Sequence, residues 1–512
     1  MTVLSKVKAY RHFHLFLLTG VVYVCFFFHL GTIPLLDPDE ARYTETSRNM
    51  LRTGDFVVPQ FAGENRLQKP ILFYWLQAAM LSVVPDEEYA ARLPSALGAT
   101  AIVVLVYWFG CRRWGELHGR VSAFGVAIFP LTIALSRIAS TDMTLAAWVT
   151  ASALWFLTAF RESRPGFLIA AYASLGAALL TKGPVAFLFV IPALIPVLLS
   201  PRRRGTIAVR YHLLGILVMA IVLAPWLVLV SHRVPGIWSY WFIDETIARV
   251  FTGVKHREMG WWFYIPATFA STFPVSLCFF RKSLWKHAFH AWRNGRLSME
   301  NRALILWVLM SLIFFSISHS QLISYAMPIL PPIALLVASL WYDGNRGSSK
   351  KSTPILPPRL RRTLTVTIAL VVIFFMGPPA DYIGRTKSAK ELVLAANLAA
   401  LPDDFTIISY KYGRYSSLVY YTKRKVYLCD TEQAVAWMRK DSPVIMVCPI
   451  EKWEQFPFRQ GLILLTSRLN WCAVANRQAS KRLHLSIFGP VTPTSSVRPT
   501  LGPNSSRMFV SG

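Results

Sequence analysis

Long apolar runs separated by short polar loops make up the first three-quarters of the chain. A bilayer core of about 30 Å is crossed by around 20 apolar residues in a helix. Runs near that length, or somewhat shorter, lie at 14–36, 93–110, 121–138, 143–160, 166–181, 184–200, 212–232, 262–280, 303–319, 325–342 and 363–377. They predict an α-helical polytopic membrane domain over residues 1–377, with about 11–13 transmembrane helices.

Two further segments of this region predict helices at the membrane surface. The run at 70–84 is short and is followed by acidic residues, so we expect an interfacial or partly inserted helix, with a full span as the alternative. Residues 40–53 have helical spacing and precede Gly54, a residue that commonly ends helices. We expect that helix to lie on the outer surface.

The pattern changes after residue 377. Alternating apolar stretches, which are typical of strands, lie at 405–410, 417–428, 442–448, 461–467 and 482–488. A helix is predicted at 431–440 between them. These features predict a small soluble α/β domain at 378–488, followed by a Pro/Ser/Gly-rich, disordered tail at 489–512.

Composition and charge support the membrane assignment and set its orientation. Hydrophobic residues make up 54% of the 512 and charged residues only 16%, against about 25% charged in soluble domains. The net charge of +28 comes largely from Lys and Arg in alternate short loops. By the positive-inside rule these loops and the N-terminus are cytoplasmic. The charge therefore reflects membrane anchoring, and we expect no nucleic-acid partner.

The six cysteines have no metal-site spacing. Cys429, Cys448 and Cys472 share the C-terminal domain, where a disulfide is feasible if that domain is exported. Spacing alone does not choose a pair among them.

A charged cluster at 37–43, DPDEARY, directly follows the first apolar run. Acidic groups at a bilayer boundary are costly to desolvate, so they persist where water reaches them or where they perform chemistry. Other polar residues fall on the same outer face. They are Lys69, Arg137, Asp142, Lys182, Arg249 and His256.

Each of these residues also has a simpler explanation. The helix carrying Asp39 and Glu40 could merely expose its charges to water, and Lys69 and Lys182 could extend to the head groups. Asp142 could cap the helix that follows it, and His256 could be a plain surface histidine. Together, at the ends of separate helices on one face, they predict a cavity for an anionic, lipid-attached substrate.

Several motifs in order resemble one known family. DEARY, QKP, the SRIASTDM turn, LLTKGP, the RVFTGVKHREMGWWFYIP loop and SYAMPILPP occur between residues 39 and 333. This order resembles the aminoarabinose transferase and protein O-mannosyltransferase superfamily, the GT-C type of integral-membrane glycosyltransferases. The resemblance covers roughly residues 14–342. The C-terminal domain matches only in placement and size.

The resemblance implies a glycosyltransferase that moves a sugar from a polyprenyl-phosphate-linked donor to a lipid (lipid A-like) or protein acceptor. It implies a bacterial cytoplasmic (inner) membrane protein whose active site faces the periplasm. Its implied catalytic residues are Asp39, Glu40 and Asp142. Its implied donor-phosphate-binding residues are Lys69, Arg42, Tyr43, Lys182, Arg249 and Tyr325.

Two departures from the family pattern affect the expected site. Gln68 stands where a Glu commonly precedes the Lys-Pro pair, and that Glu can share a metal with the loop histidine, here His256. Without this anionic ligand a divalent metal is only weakly supported, and the cofactor stays undetermined. Gln321 stands where a Lys often precedes the SYAMP motif, which would shift phosphate contact to Lys69, Tyr325 and the arginines.

The chemistry expected from this site is inverting sugar transfer. A phosphate leaving group is already a stable anion, so catalysis needs cations at the phosphate and an oriented acceptor. Asp39 would deprotonate an acceptor hydroxyl, or position the acceptor if that acceptor is itself a phosphate. The alternative from another class is a lipid-linked sugar flippase or transporter without catalysis. Transporters often contain inverted repeats, and none is evident here.

Overall fold

The computed structural model describes residues 3–200, 207–241, 259–280, 297–345, 377–411 and 413–483, with isolated positions between these ranges. The chain divides into two compact units. The first contains residues 1–393 and 413–425, and the second contains 394–412 and 426–512.

The first unit is helical. Its helices are α1 (Val3–Val22), α2 (Asp39–Thr53), α3 (Leu72–Val83), α4 (Glu87–Trp114), α5 (Glu116–Ile128), α6 (Pro130–Ser136), α7 (Thr141–Glu162), α8 (Pro165–Lys182), α9 (Val185–Leu198), α10 (Val209–Arg233), α11 (Tyr264–Ser271), α12 (Met299–Ile317), α13 (Leu330–Asn345) and α14 (Pro378–Thr386). α15 (Lys390–Ala395) crosses the boundary between the units, and α16 (Tyr415–Thr422) belongs to the first. Short π and 3₁₀ segments lie at Tyr23–Phe27, Val275–Phe280, Ile323–Ile329 and Leu398–Ala400, and a single helical turn lies at Ile237–Ser239.

Within the described ranges, six helices are long and apolar enough to cross a membrane, and a seventh span results if α5 and α6 count as one. Three shorter apolar helices lie at Phe13–Phe27, Leu72–Val83 and Val185–Leu198. The sequence runs predicted 11–13 spans. Part of the difference arises because the run at 262–280 forms only α11 and a 3₁₀ segment, and most of the run at 363–377 lies outside the described residues.

The predicted span at 121–138 is a broken helix. α5 and α6 meet at an angle of 63°. Phe129, the residue between them, has φ −60° and ψ 128° and is followed by Pro130. A proline disfavours helical geometry in the preceding residue and can itself begin a new helix, so the chain turns at this position.

Burial within the helical unit places α7 at its centre. Of the most apolar 18 residues of α7, 89% are buried inside the protein, whereas only 17% of the corresponding residues of α10 are buried. Small Ala, Ser and Thr side chains dominate the buried face of α7, which allows neighbouring helices to approach closely in a membrane. The N-terminal end of α7, where Asp142 lies, is therefore held firmly.

The second unit contains a five-stranded sheet with the strand order β4-β3-β5-β7-β6. A separate hairpin of two short strands, β1 (Gln60–Phe61) and β2 (Glu64–Asn65), belongs to the first unit. The sheet consists of β3 (Thr406–Tyr410), β4 (Val426–Cys429), β5 (Val444–Pro449), β6 (Ile463–Arg468) and β7 (Trp471–Ala475). β3 pairs in parallel with β4 and β5, whereas β7 pairs antiparallel with β5 and β6. The unit also contains α17 (Thr431–Met438), α18 (Ile450–Glu454) and α19 (Arg477–Arg482).

The predicted strand stretches at 405–410, 442–448 and 461–467 correspond to β3, β5 and β6. The last predicted stretch, 482–488, begins with Arg482, which is the end of α19 and not part of a strand. The apolar segment at 417–428 was predicted as a strand, but its first part is the end of α16 and only 426–428 enter β4. The strand β7 was not predicted. Residues 484–488 of the last predicted stretch and the tail at 489–512 lie outside the described residues.

Candidate active site

The DPDEARY cluster forms the entry and first turns of α2. Asp39 and Glu40 occupy the first turn, where acidic side chains interact favourably with the helix dipole. Gly54, with φ +70°, ends the helix in the left-handed conformation, and its amide donates to the carbonyl of Met50 at 2.9 Å. The predicted boundaries of this helix are confirmed to within one residue.

Consecutive residues of a helix point about 100° apart, and the two acids accordingly have different surroundings. The side chain of Asp39 is exposed, whereas that of Glu40 is 1% exposed. Both Glu40 oxygens accept hydrogen bonds from Arg92 at 2.8 Å. They also accept from the amides of Leu36 at 3.0 Å and Ala139 at 2.7 Å. The Glu40 carboxylate is therefore occupied by protein donors.

Arg92 connects this carboxylate to the loop before α2. Its terminal nitrogens donate to the carbonyls of Leu30 at 2.9 Å, Ile33 at 2.7 Å and Pro34 at 3.0 Å. Because the guanidinium satisfies carbonyls that lie outside any helix, it fixes the path of the chain into α2.

Tyr43 lies one residue beyond Arg42 and supports a second arginine. The guanidinium carbon of Arg66 lies 5.2 Å from the centre of the Tyr43 ring, and Arg66 Nε donates to the hydroxyl of Tyr74 at 3.0 Å. Burial lowers the pKa of Arg42, and the neighbouring charge of Arg66 adds to this effect, while Asp39 opposes it. These contacts bring Asp39, Arg42, Tyr43 and Arg66 together.

Asp142 forms a second group at the ends of α7 and α8. It pairs with Lys182, the last residue of α8, and also accepts a hydrogen bond from Ser324. The ammonium of Lys182 lies 4.3 Å from the centre of the Tyr325 ring. Ser140, and not Asp142, caps α7 by accepting from the amide of Asp142. The simpler explanations of Asp142 as a cap and of Lys182 as a membrane-surface lysine are therefore not supported.

The two groups are linked through Tyr43 and Lys69. The charges of Asp39 and Asp142 both act on the hydroxyl group of Tyr43. Lys69 lies within electrostatic range of Asp142, and its ammonium is 3.8 Å from a carboxylate oxygen of Glu245. Eight of the ten predicted site residues thus lie in the first unit, at or next to the ends of helical segments. The other two, Arg249 and His256, lie outside the described residues.

The two glutamines that depart from the family pattern have different environments. Gln321 is 3% exposed; its amide nitrogen donates to the carbonyls of Phe315 and Ser316 at 3.3 Å, and its oxygen accepts from the amide of Met259 at 2.9 Å. Gln321 therefore braces the backbone before Tyr325. The side-chain oxygen of Gln68 is buried without a hydrogen-bond partner among the described residues.

The part of the chain that the structure describes contains no group of three or more His, Cys, Asp or Glu side chains placed to hold a metal ion. His256, the predicted metal ligand, is not in that part. The described residues therefore provide no ligand set for a divalent metal.

Helix α16 contacts the loop that leads into α2. The hydroxyl of Ser417 donates to Asp37, and the amide of Ser417 donates to the same carboxylate at 3.0 Å. The hydroxyl of Tyr421 accepts from the amide of Leu35 at 2.8 Å, and Arg48 donates to the carbonyl of Tyr420 at 2.7 Å. Burial raises the pKa of Asp37 to about 6, although the Ser417 hydrogen bonds oppose the shift.

Comparison with known proteins shows which proteins the chain resembles. Residues 68–229 match the family model described as dolichyl-phosphate-mannose-protein mannosyltransferase. The chain is 33% identical over 374 residues to undecaprenyl phosphate-alpha-4-amino-4-deoxy-L-arabinose arabinosyl transferase 1 of Pseudomonas fluorescens, covering 70% of this chain and 63% of that protein. It is 31% identical over 314 residues to the Aeromonas hydrophila transferase of that name, covering 60% of this chain and 56% of that one. The chain is therefore similar to integral-membrane glycosyltransferases over these regions.

Two solved structures share the fold of this chain. The crystal structure of ArnT from Cupriavidus metallidurans bound to undecaprenyl phosphate superposes with a TM-score of 0.73 at 21% identity, covering 90% of this chain and 98% of that one. The archaeal oligosaccharyltransferase AglB from Archaeoglobus fulgidus gives a TM-score of 0.56 at 13% identity, covering 86% of this chain and 70% of that one. Over the aligned regions, the chain spans only about half to two-thirds of the length of the two transferases.

Proposed function

We propose that this integral membrane protein is a glycosyltransferase that uses a polyprenyl-phosphate-linked sugar. The observation that carries the proposal is that Asp39, Arg42, Tyr43, Lys69 and Asp142 interact electrostatically with one another near the ends of helices. The acceptor would be a lipid such as lipid A, or a protein. The names of the Pseudomonas and Aeromonas relatives favour an undecaprenyl-phosphate donor.

Charge distribution supports an active site on the periplasmic side of a bacterial inner membrane. Lys and Arg concentrate in the opposite loops, for example at 112–120 and 202–210. Since cytoplasmic loops carry the excess of positive charge, the DPDEARY turn and the α7–α8 ends would face the periplasm.

The two acids of α2 would have different roles in catalysis. Asp39 is exposed and free to approach an acceptor hydroxyl as a base, or to orient an acceptor phosphate. Glu40 is occupied by Arg92 and two amides, so we assign it to holding α2 in place. This assignment replaces the catalytic role that the resemblance implied for Glu40.

Asp142 would fix the position of a cation next to the departing phosphate. Its carboxylate pairs with Lys182, and Tyr325 lies against the same ammonium. Lys69 also interacts electrostatically with Asp142, and its positive charge would add to that of Lys182 near the phosphate. Fixed cations lower the barrier because they require no rearrangement as negative charge develops on the leaving group.

Transfer assays on the purified protein test the proposal. We expect sugar to pass from a labelled undecaprenyl-phosphate sugar to extracted lipid A or membrane protein, with Asp39→Asn slower by about 10²–10⁴-fold. Asp381→Asn serves as control because Asp381 is a 57% exposed acid in the first turn of α14. Full turnover by the Asp39 variant would remove Asp39 from the mechanism. Movement of the lipid-linked sugar across vesicles without product would instead indicate a transporter.

A further inference from the structure

Arg66 is a buried cation whose charge is poorly compensated by the protein. It is 8% exposed, and its side chain contacts the Tyr43 ring and the Tyr74 hydroxyl. Arg42 has one long side-chain hydrogen bond, from Nε to the hydroxyl of Ser416 at 3.4 Å. Among the described residues, no carboxylate lies within ion-pairing distance of either guanidinium.

Two other buried cations of this unit differ in this respect, whereas Arg137, which is 7% exposed, donates to the carbonyls of Phe28 and His29 among the described residues. Arg92 has the Glu40 carboxylate, and Lys182 has that of Asp142. Asp39 influences both Arg42 and Arg66 electrostatically without forming a direct pair with either. Among the described residues, the charge of Asp39 acts on both guanidiniums and that of Asp37 acts on Arg42 alone. No hydrogen bond to a described residue holds the terminal nitrogens of Arg42 or Arg66, so they remain available to a ligand.

The backbone that carries Arg66 is fixed before any ligand binds. The amide of Arg66 donates to the carbonyl of Pro59 at 2.7 Å, which closes the β1–β2 hairpin. The indole nitrogens of Trp226 and Trp241 donate to the carbonyls of Val57 at 2.9 Å and Leu67 at 2.7 Å. Because the backbone on both sides of the hairpin is held in place, ligand binding requires little further loss of backbone conformational entropy at Arg66.

Removing a guanidinium from water is unfavourable unless an anion or hydrogen-bond acceptor replaces the water. The planar fork of Arg matches two oxygens of a phosphate group. We propose that Arg66 and Arg42 form a phosphate-binding pair beside Asp39, separate from the Lys182–Asp142 pair. Arg66 is not among the residues that the sequence motifs identified.

This inference rests on the proposed function for its biological ligand, which is either the phosphate of the donor lipid or a phosphate on the acceptor. Direct binding separates it from that function. In detergent, we expect undecaprenyl phosphate or inorganic phosphate to raise the thermal midpoint of the wild-type protein. Arg66→Gln should weaken this binding about 10–100-fold, the effect of losing charged hydrogen bonds.

Two variants control the binding measurement. Arg52→Gln removes an arginine from the exposed last turn of α2 and should bind as the wild type does. Arg66→Lys keeps the charge but lacks the fork, so we expect intermediate affinity, and it continues the test if Arg66→Gln does not fold. Wild-type phosphate affinity in a folded Arg66 variant would overturn the proposal, even if its thermal stability fell.

Kinetics then identify the source of the phosphate. A raised KM for the donor in Arg66→Lys, with unchanged acceptor KM, would place the donor phosphate on the pair. The reverse result would place an acceptor phosphate there. No change in either KM would overturn the inference, whereas phosphate binding without sugar transfer by the wild type would refute only the proposed function.

Discussion

The Glu40–Arg92 pair allows stability to be separated from catalysis at the start of α2. Its two side chains are 1% and 2% exposed and share two hydrogen bonds of 2.8 Å. Replacing Glu40 by Gln leaves the Arg92 charge buried without a counter-ion. Replacing Arg92 by Met removes those two bonds and also leaves three carbonyls of the preceding loop without their donors.

The expected cost follows from this burial. Removing one partner of a buried ion pair destabilises a protein by about 3–5 kcal/mol, a large share of a total stability of about 5–15 kcal/mol. The Arg385–Asp381 pair, with both side chains 57% exposed, should contribute only about 0–1 kcal/mol. Arg92→Met should be the more damaging single change because it removes more hydrogen bonds.

Thermal unfolding in detergent, followed by intrinsic fluorescence, measures the difference. We expect Glu40→Gln and Arg92→Met to lower the midpoint clearly, and Asp381→Asn to leave it nearly unchanged. The double variant should lose less than the sum of the two singles, because the second change removes the charge that the first left unpaired. A Glu40→Gln protein with wild-type stability but no sugar transfer would refute the structural role and return Glu40 to catalysis.

Three further outcomes are expected. Because the pKa of Asp37 is raised to about 6, the stability contributed by its protonated form is fully present below about pH 4 and is lost as pH rises through 6. The thermal midpoint of the wild type should therefore fall over this pH range. Asp37→Asn should abolish this pH dependence, and an unchanged pH dependence would contradict the reasoning. Asp142→Asn and Lys182→Met should each destabilise more than half as much as the double variant, whereas strict additivity in the same thermal measurements would exclude coupling. The thiols of Cys448 and Cys472 lie 3.6 Å apart on paired strand positions, so oxidation by diamide should join them in a disulfide and protect both from alkylation after denaturation. Mass spectrometry would detect this protection, and Cys448→Ser should leave Cys472 open to alkylation. Full alkylation of both cysteines in the treated wild type would argue against their proximity.

Local signals in the sequence predicted elements whose ends are determined locally. Gly54 marked the end of α2 because its positive φ is accessible to glycine. The strand stretch at 442–448 is β5 to within two residues at either end, since a fully buried strand requires a continuous apolar run. In contrast, the run at 417–428 has β-branched and aromatic residues typical of strands, yet α16 forms there. Its Tyr420 and Tyr421 pack within the helical unit, a tertiary effect that periodicity does not contain.

The site was predicted through residue types, and its details depended on contacts between distant residues. Asp39, Lys69 and Asp142 stood out as charges near apolar runs. Arg92 gave no comparable signal because its partner, Glu40, lies 52 positions away. Arg66 was missed because it follows a short polar hairpin in which an arginine is unremarkable, and only its packing against Tyr43 distinguishes it.

Helix α16 limits how the protein can be divided. The chain leaves β3, contributes residues 413–425 to the helical unit, and then returns as β4. Truncation after residue 393 would therefore delete more than a soluble appendage, because Asp37 would lose its Ser417 donors and Leu35 its tyrosine acceptor. Lengthening the linkers on either side of α16 should likewise disturb sugar transfer from a position far along the sequence.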